Sequence, residues 1–473
     1  MSEKSPVILW LRRDLRLSDH PALKAAMDAG GPVIPVYIRD DLVDGLGAAP
    51  KWRLGLGLEV FAESLEDVGS RLIFRSGKAI DVLKQLVEDT GAAAVHWHRA
   101  YDPDSIARDK DVKSSLKDAG IEAHSHAGHL LFEPWTVETG SGGFYKVYSP
   151  MWKAVRGRDV DSPLQAPSSI PALDAWPDSE TLDSWGLGLA MNRGAEVCLP
   201  HQRVGEDKAR DRLYRFTGDI IADYDTDRDF PAIDGTSGLS ENLSLGEISP
   251  RTCWHAGQRA MEDGKKGAET WLKELVWREF AYHLVYHTPH ITTESWRDGW
   301  EKFPWKEDED SDAVLTWKQG RTGIAFVDAA MREMYVTGRM HNRARMIVGS
   351  YLTKHMMTHW RIGQKWFEDC LTDWDPASNA MGWQWVAGSG PDATPYFRVF
   401  NPDTQLDKFD RDGAYRRAWI AEGHGSPTKT ALSYYDAIPR SWGLSPSDTV
   451  PDPLVGLSEG RERALDAYSN RDF

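Results

Sequence analysis

A chain of 473 residues, 41% hydrophobic and 27% charged, reads as globular but is too long for one core, and two or three domains are expected. Its net charge of −16 excludes a protein that coats nucleic acid indiscriminately, because phosphate binding needs clustered Lys and Arg, yet leaves room for a local basic patch. No apolar run could span a bilayer, and Cys198, Cys253 and Cys370 are widely spaced and in no metal pattern. We therefore expect a cytoplasmic, monomeric protein with free thiols and no signal peptide, membrane anchor or disulfide framework.

The first part alternates apolar runs with amphipathic stretches. Strands are predicted at 7–11, 33–38, 71–74, 93–97 and 121–124, with helices over 53–68, 78–89 and 104–119 and a helix start at Asp19-His-Pro21, Asp19 acting as cap. This alternation predicts an α/β domain, 1–130, with a doubly wound parallel sheet. Residues 131–203, rich in Pro, Gly, Ser and Asp, read as an interdomain linker. From 204 to 473 the pattern is helical, over 205–226, 248–263, 268–287, 324–337, 341–358 and 363–371, and the Pro- and Ser-rich tail from about 421 is expected to pack irregularly. The run Lys306-Glu-Asp-Glu-Asp-Ser-Asp312 is a solvated loop.

Four stretches mix residue types that an ordinary core does not need. In Trp271-Leu-Lys-Glu274-Leu-Val-Trp277-Arg278-Glu279-Phe280, helical spacing puts Glu274, Trp277 and Arg278 within one turn, with Trp271 on a neighbouring line. That face is either the wall of a ligand site or an amphipathic surface with an i,i+4 ion pair. In Gly338-Arg-Met-His-Asn342-Arg343-Ala-Arg345-Met346, Asn342, Arg345 and Met346 share a face while Arg343 points elsewhere, toward a phosphate or toward solvent. In Asp373-Trp-Asp375-Pro-Ala-Ser-Asn379-Ala-Met-Gly-Trp383-Gln-Trp385, Asn379 and Trp383 lie one turn apart, which suits a flat, partly polar aromatic ligand or a buried Asn beside a core indole. Tyr224 and then Thr236-Ser237-Gly-Leu239-Ser240 offer hydroxyls and backbone N–H groups to an anion, although Ser/Thr runs also cap helices. Of the 21 tryptophans, fourteen follow residue 250 and must be buried or stacked. His124-Ser-His-Ala-Gly-His129 and His287-Thr-Pro-His290 lack cysteine or carboxylate partners at ligand spacing, so no metal site is expected. No G-x-G-x-x-G turn, nucleophile elbow or P-loop is present.

These stretches, together with Val399-Phe400-Asn401-Pro402 and the opening Leu9-Trp-Leu-Arg12-Arg13-Asp14-Leu15-Arg16, closely resemble the photolyase/cryptochrome family over nearly the whole chain, and within it the class I cyclobutane pyrimidine dimer photolyases. The resemblance implies a Rossmann-like antenna domain followed by a larger all-α domain that binds FAD and DNA. It assigns FAD binding to Tyr224, Thr236, Ser237, Leu239, Ser240, Trp271, Arg278, Asn342, Arg345, Asp373, Asp375 and Asn379, with Arg345 paired to Asp373 and Asn379 beside flavin N5. Glu274, Asn342, Met346 and Asn379 are implied as catalytic, with electrons relayed from the surface through Trp305, Trp360 and Trp383. UV-damaged DNA is the implied partner. A flipped-out pyrimidine dimer would be met by Glu274, Asn342, Trp277, Met346 and Trp385, with Arg228, Arg343, Arg398 and Lys408 on the DNA.

The implied reaction is light-driven electron transfer from reduced FAD to the dimer. The resemblance also implies a second, light-harvesting chromophore, methenyltetrahydrofolate or a deazaflavin, although Asp104-Ser105 stands where many folate-binding relatives have Asn-Glu. The competing expectations are a cryptochrome-type photoreceptor, which a long C-terminal extension would favour, a (6-4) photolyase, which would carry histidine at Met346, and a flavoprotein electron carrier that never meets DNA.

Overall fold

The computed structural model describes residues 4–392 and 397–473, so Ala393-Thr-Pro-Tyr396 of the longest motif lies outside the described residues. Its first part is a five-stranded parallel sheet: β1 (Val7–Leu11), β2 (Val33–Arg39), β3 (Ile73–Ser76), β4 (Ala94–His98) and β5 (Glu122–His126), in the order β3-β2-β1-β4-β5. Every residue of β1 and β4 is buried, as expected of central strands covered on both faces. Alternation sends Val7, Leu9 and Leu11 into one apolar cluster and Ile8 and Trp10 into the other.

One sequence expectation is corrected here. Asp19 does not cap the first helix, Pro21–Asp28: His20 Nδ1 accepts the N–H of Leu23 at 3.0 Å, while Asp19 sits at φ +48° with its carboxylate on the N–H of Leu164 and the guanidinium of Arg251. The connecting stretch after β5 is packed against both parts. Tyr148–Val155 is a helix whose Tyr148, Met151 and Trp152 enter the helical core. Farther on, Ile170, Trp185 and Leu187 pack under the sheet, and the Glu180 N–H bonds the Phe74 carbonyl at 2.9 Å, covering edge strand β3.

Beyond residue 205 the chain is helical. Ala268–His287, Ala325–Thr337, Asn342–Ser350, Trp360–Cys370 and Pro376–Ala387 surround the site described below. The tail is more ordered than its composition suggests: Lys429–Ala437 and Leu457–Ser469 are helices, the latter with Gly460 so close to His355 that a Cβ would stand 2.9 Å from its Cα. The sheet and the helices meet tightly. Arg53 forms a two-pronged ion pair with Glu247 at 2.9 and 2.6 Å, both fully buried. At Gly246, with φ +70°, a Cβ would stand 2.0 Å from the Arg13 carbonyl oxygen, so only glycine fits. Among the described residues no helix is long and apolar enough to cross a membrane.

Candidate functional site

A cavity of about 1040 Å³ opens among the helices. The irregular stretch after Tyr224 contributes Thr236, Ser237, Leu239 and Ser240 to its wall, and the Ala268–His287 helix contributes Glu274, Trp277 and Arg278. Asn342–Ser350 turns Asn342, Arg345 and Met346 inward, one face as helical spacing requires. Asp373 and the Pro376–Ala387 helix, capped by Asp375 through the Ser378 N–H at 2.8 Å, add Asn379, Trp383 and Trp385.

Several side chains are already held in place. Arg345 Nη2 lies 2.8 and 3.0 Å from the two oxygens of Asp373, the pairing the motif implied. Arg228 pairs with Glu274 at 2.5 Å. Trp277 stacks on Tyr148 with ring centroids 3.7 Å apart. Asn379 gives its NH₂ to the Gln364 carbonyl at 3.0 Å, which leaves its amide oxygen as the free acceptor. From the α/β part, Arg13 reaches the Asp375 carboxylate at 3.7 Å, and Tyr282 donates to that carboxylate at 2.5 Å. Behind Trp383, Gly363 has no room for a side chain, because a Cβ there would stand 2.1 Å from the indole.

Some expected residues lie elsewhere. Trp271 is buried beside Phe216, with ring centroids 5.0 Å apart, and is not among the residues that line the cavity. Trp360 and Trp305 are also core residues. His359 lies between them, 5.4 and 5.1 Å from their rings, and Trp305, the expected outer end of the relay, is itself only 7% exposed. Arg343, Arg398 and Lys408 line a second cavity of about 400 Å³, where Arg343 is engaged by Asp229 at 2.5 Å and Arg398 and Lys408 are exposed.

Sequence reading missed Arg203, Arg212, Asp234, Glu333, Arg339 and His341, which also line the main cavity. They come from separated segments, and for Arg339 and His341 only adjacency to Asn342 gave a signal. Burial pushes the Glu333 carboxyl up to about 7, against the pull of the Tyr415 hydroxyl bonded to it.

Among the described residues, one group could present ligand atoms to a metal ion. Asp14, His20 and His98 are buried, with these atoms within 4.8 Å of one another. Their hydrogen bonds argue against that use. His20 Nδ1 accepts from Leu23 and His98 Nε2 from Ala22, so each neutral ring carries its proton on the nitrogen facing Asp14 Oδ2, 3.6 and 2.9 Å away. A ligating imidazole has the opposite arrangement, donating its outer N–H and turning a lone pair inward.

FAD, by contrast, fits the main cavity. The volume is at the upper end for small-molecule sites. Hydroxyls and guanidiniums suit an anionic middle, while Phe367, Leu371 and Trp383 suit flat rings. His341 Nε2, Trp374 Nε1 and Trp383 Nε1 on its wall are buried without a partner among the described residues, the condition expected where a ligand completes the hydrogen bonding.

Residues 7–168 match the family model described as DNA photolyase, and residues 271–470 match the one described as the FAD binding domain of DNA photolyase. The chain is 44% identical to the deoxyribodipyrimidine photo-lyase of Agrobacterium fabrum, over 98% of each chain. It superposes on the crystal structure of a bacterial class III photolyase from Agrobacterium tumefaciens with a TM-score of 0.91 and 43% identity, covering 99% of this chain and 98% of that one. A Synechocystis cryptochrome gives a TM-score of 0.84 at 27% identity, covering 99% of this chain and all of that one.

Proposed function

The chain belongs to the DNA photolyase family, and we propose that it repairs cyclobutane pyrimidine dimers in DNA with blue light, as a deoxyribodipyrimidine photo-lyase holding FAD. The observation that carries this reading is a single cavity lined both by the cofactor set, Tyr224, Thr236, Ser237, Arg345, Asp373 and Asn379, and by the lesion set, Glu274, Trp277, Asn342, Met346 and Trp385. Fully reduced FAD, when bound, supplies the light-excited electron that splits the dimer and takes it back afterwards.

The protein's own residues bind and orient. Arg345 holds Asp373 fixed, and Asn379, its NH₂ spent on Gln364, turns an acceptor oxygen toward the cavity, where it would receive an N–H from a reduced flavin. Glu274, anchored by Arg228, serves as a hydrogen-bond acceptor for the flipped bases, and Trp277, backed by Tyr148, is a rigid apolar surface for them. Arg343, one residue on from Asn342, with Arg398 and Lys408, would hold phosphates. Met346, where a (6-4) enzyme would carry histidine, supports the dimer reading over that alternative. The likeness to the class III photolyase of Agrobacterium tumefaciens supports that subclass over class I for this chain as well. A second chromophore, methenyltetrahydrofolate or a deazaflavin, would dock on the α/β part.

The test is repair of an oligonucleotide bearing one thymine dimer by photoreduced protein, in light and in darkness. Light-dependent restoration of both thymines is expected, with Asn342→Ala slower by about tenfold or more, the scale of one lost hydrogen bond. Bound, photoreducible FAD without dimer repair would overturn the reading in favour of the (6-4) lesion or signalling.

A further inference from the structure

Six arginines line the main cavity, and five of them are engaged within the chain. Arg212 holds Asp234 and the Ser237 carbonyl, Arg228 holds Glu274, Arg278 holds the His129 carbonyl, Arg339 lies 3.4 Å from Glu241, and Arg345 holds Asp373. Arg203 differs. Its guanidinium makes no hydrogen bond or ion pair among the described residues, and burial together with the neighbouring charges of Arg339 and Arg212 pushes its pKa down.

Its main chain is nonetheless fixed from two sides. The Arg203 carbonyl accepts from Asn242 Nδ2 at 2.8 Å and from Arg53 Nη2 at 3.2 Å. The side chain then reaches across to Gly238, where a Cβ would stand 2.7 Å from Arg203 Nη1. The guanidinium thus lies against the backbone between Ser237 and Leu239, with Thr236 and Ser237 beside it on the same wall. Three guanidiniums, those of Arg203, Arg212 and Arg339, face two carboxyls there, those of Asp234 and Glu241. An excess of positive charge in a half-buried wall is costly without an anion to meet it.

Resting on the FAD reading above, we propose that Arg203 is the positioning cation for the cofactor's diphosphate, completing a cradle with Thr236 and Ser237. The diphosphate supplies the missing negative charge, and the guanidinium's planar fork can bond two of its oxygens at once.

The experiment titrates FAD into the stripped full-length protein carrying Arg203→Met or Arg203→Lys, with melting of each apoprotein as the control for folding. We expect Arg203→Met to weaken FAD binding about 10- to 100-fold, the range for a lost charge-assisted hydrogen bond, and Arg203→Lys to recover most of that loss, with all three apoproteins melting alike. Binding by Arg203→Met within about twofold of the original, or a lysine variant no better than the methionine one, would overturn the assignment and leave the FAD reading intact. An original protein that takes up no FAD would sink both.

Discussion

Two regions of this molecule gather charged side chains at the ends of regular elements, and they are finished in opposite ways. At the C-terminal ends of β1 and β4, where the strand order reverses and open α/β sheets commonly take ligands, the chain fills the crevice itself. Arg12 bonds Asp109 at 2.6 Å, Arg108 bonds Asp40 at 2.8 Å, and the two guanidiniums lie 4.3 and 4.9 Å from the Trp10 ring. In the helical cavity the pairing is incomplete: Arg203, His341 Nε2 and the indole N–H groups of Trp374 and Trp383 have no partner among the described residues. Topology names both places as candidates. Buried atoms without a partner among the described residues occur at both places, Trp97 Nε1 at the end of β4 among them, so what separates the region that can take a guest is its open volume of about 1040 Å³ beside an unpaired guanidinium.

If complete internal pairing marks structural charge, its loss should be read in stability. The largest effect is expected at the seam, where Arg53→Met strands the fully buried Glu247 and lowers unfolding free energy by about 3–5 kcal/mol, measured as a denaturant midpoint. A loss under about 1 kcal/mol would mean that pairing is no guide to structural weight.

Next is the pH response of Glu279, whose carboxylate accepts the N–H groups of Leu131 and Phe132. Burial pushes it up to about 7 from 4.5, against the pull of Arg278. The folded value exceeds the unfolded one, so its stabilisation is complete below about pH 4.5 and is lost as pH rises through about 7. Glu279→Gln keeps an acceptor for both N–H groups and should flatten melting temperature against pH over that window, by on the order of 1–3 kcal/mol. An unchanged slope would move the titration to another buried carboxyl, Glu333 above all, which is also raised to about 7.

The smallest effect sharpens the contrast itself. Asp109→Ala should cost about 1–2 kcal/mol of stability by leaving Arg12 and Arg108 short of an acceptor, while FAD affinity stays unchanged. A large fall in FAD affinity would show that the two regions are coupled.

Much of this was legible in the residues, for reasons that differ by element. The Ala268–His287 helix has the predicted bounds, and the five strands fall within two residues of theirs at each end, because long periodic or apolar runs between breaks leave little choice of register. The Arg345–Asp373 pair was foreseeable only through the family resemblance that the two motifs carry, since no spacing within either motif brings them together. Arg203 and Glu333 were not, because nothing local ties them to the site and only tertiary packing brings them there, whereas Asp234 had the adjacent Thr236-Ser237 as its one signal. Trp271 stands three residues before Glu274, at the edge of the half-exposed stripe of Lys273, Glu274, Trp277 and Arg278, and only tertiary packing decides that it turns to Phe216. The tail helix Leu457–Ser469 hid behind the Pro-containing stretch that leads into it, although its small residues Gly460 and Ala464 are what let it dock.

The glycine behind Trp383 carries a consequence for divergence within the fold. Gly363 is absent from the cavity wall, yet the indole it backs forms part of that wall. A single methyl at this position would drive the ring forward and make the chamber shallower, or force the Trp360–Cys370 helix to back away. The depth open to a guest is therefore inherited through an atom that was never added, at a position outside the cavity wall, and selection for a roomy chamber would keep it bare.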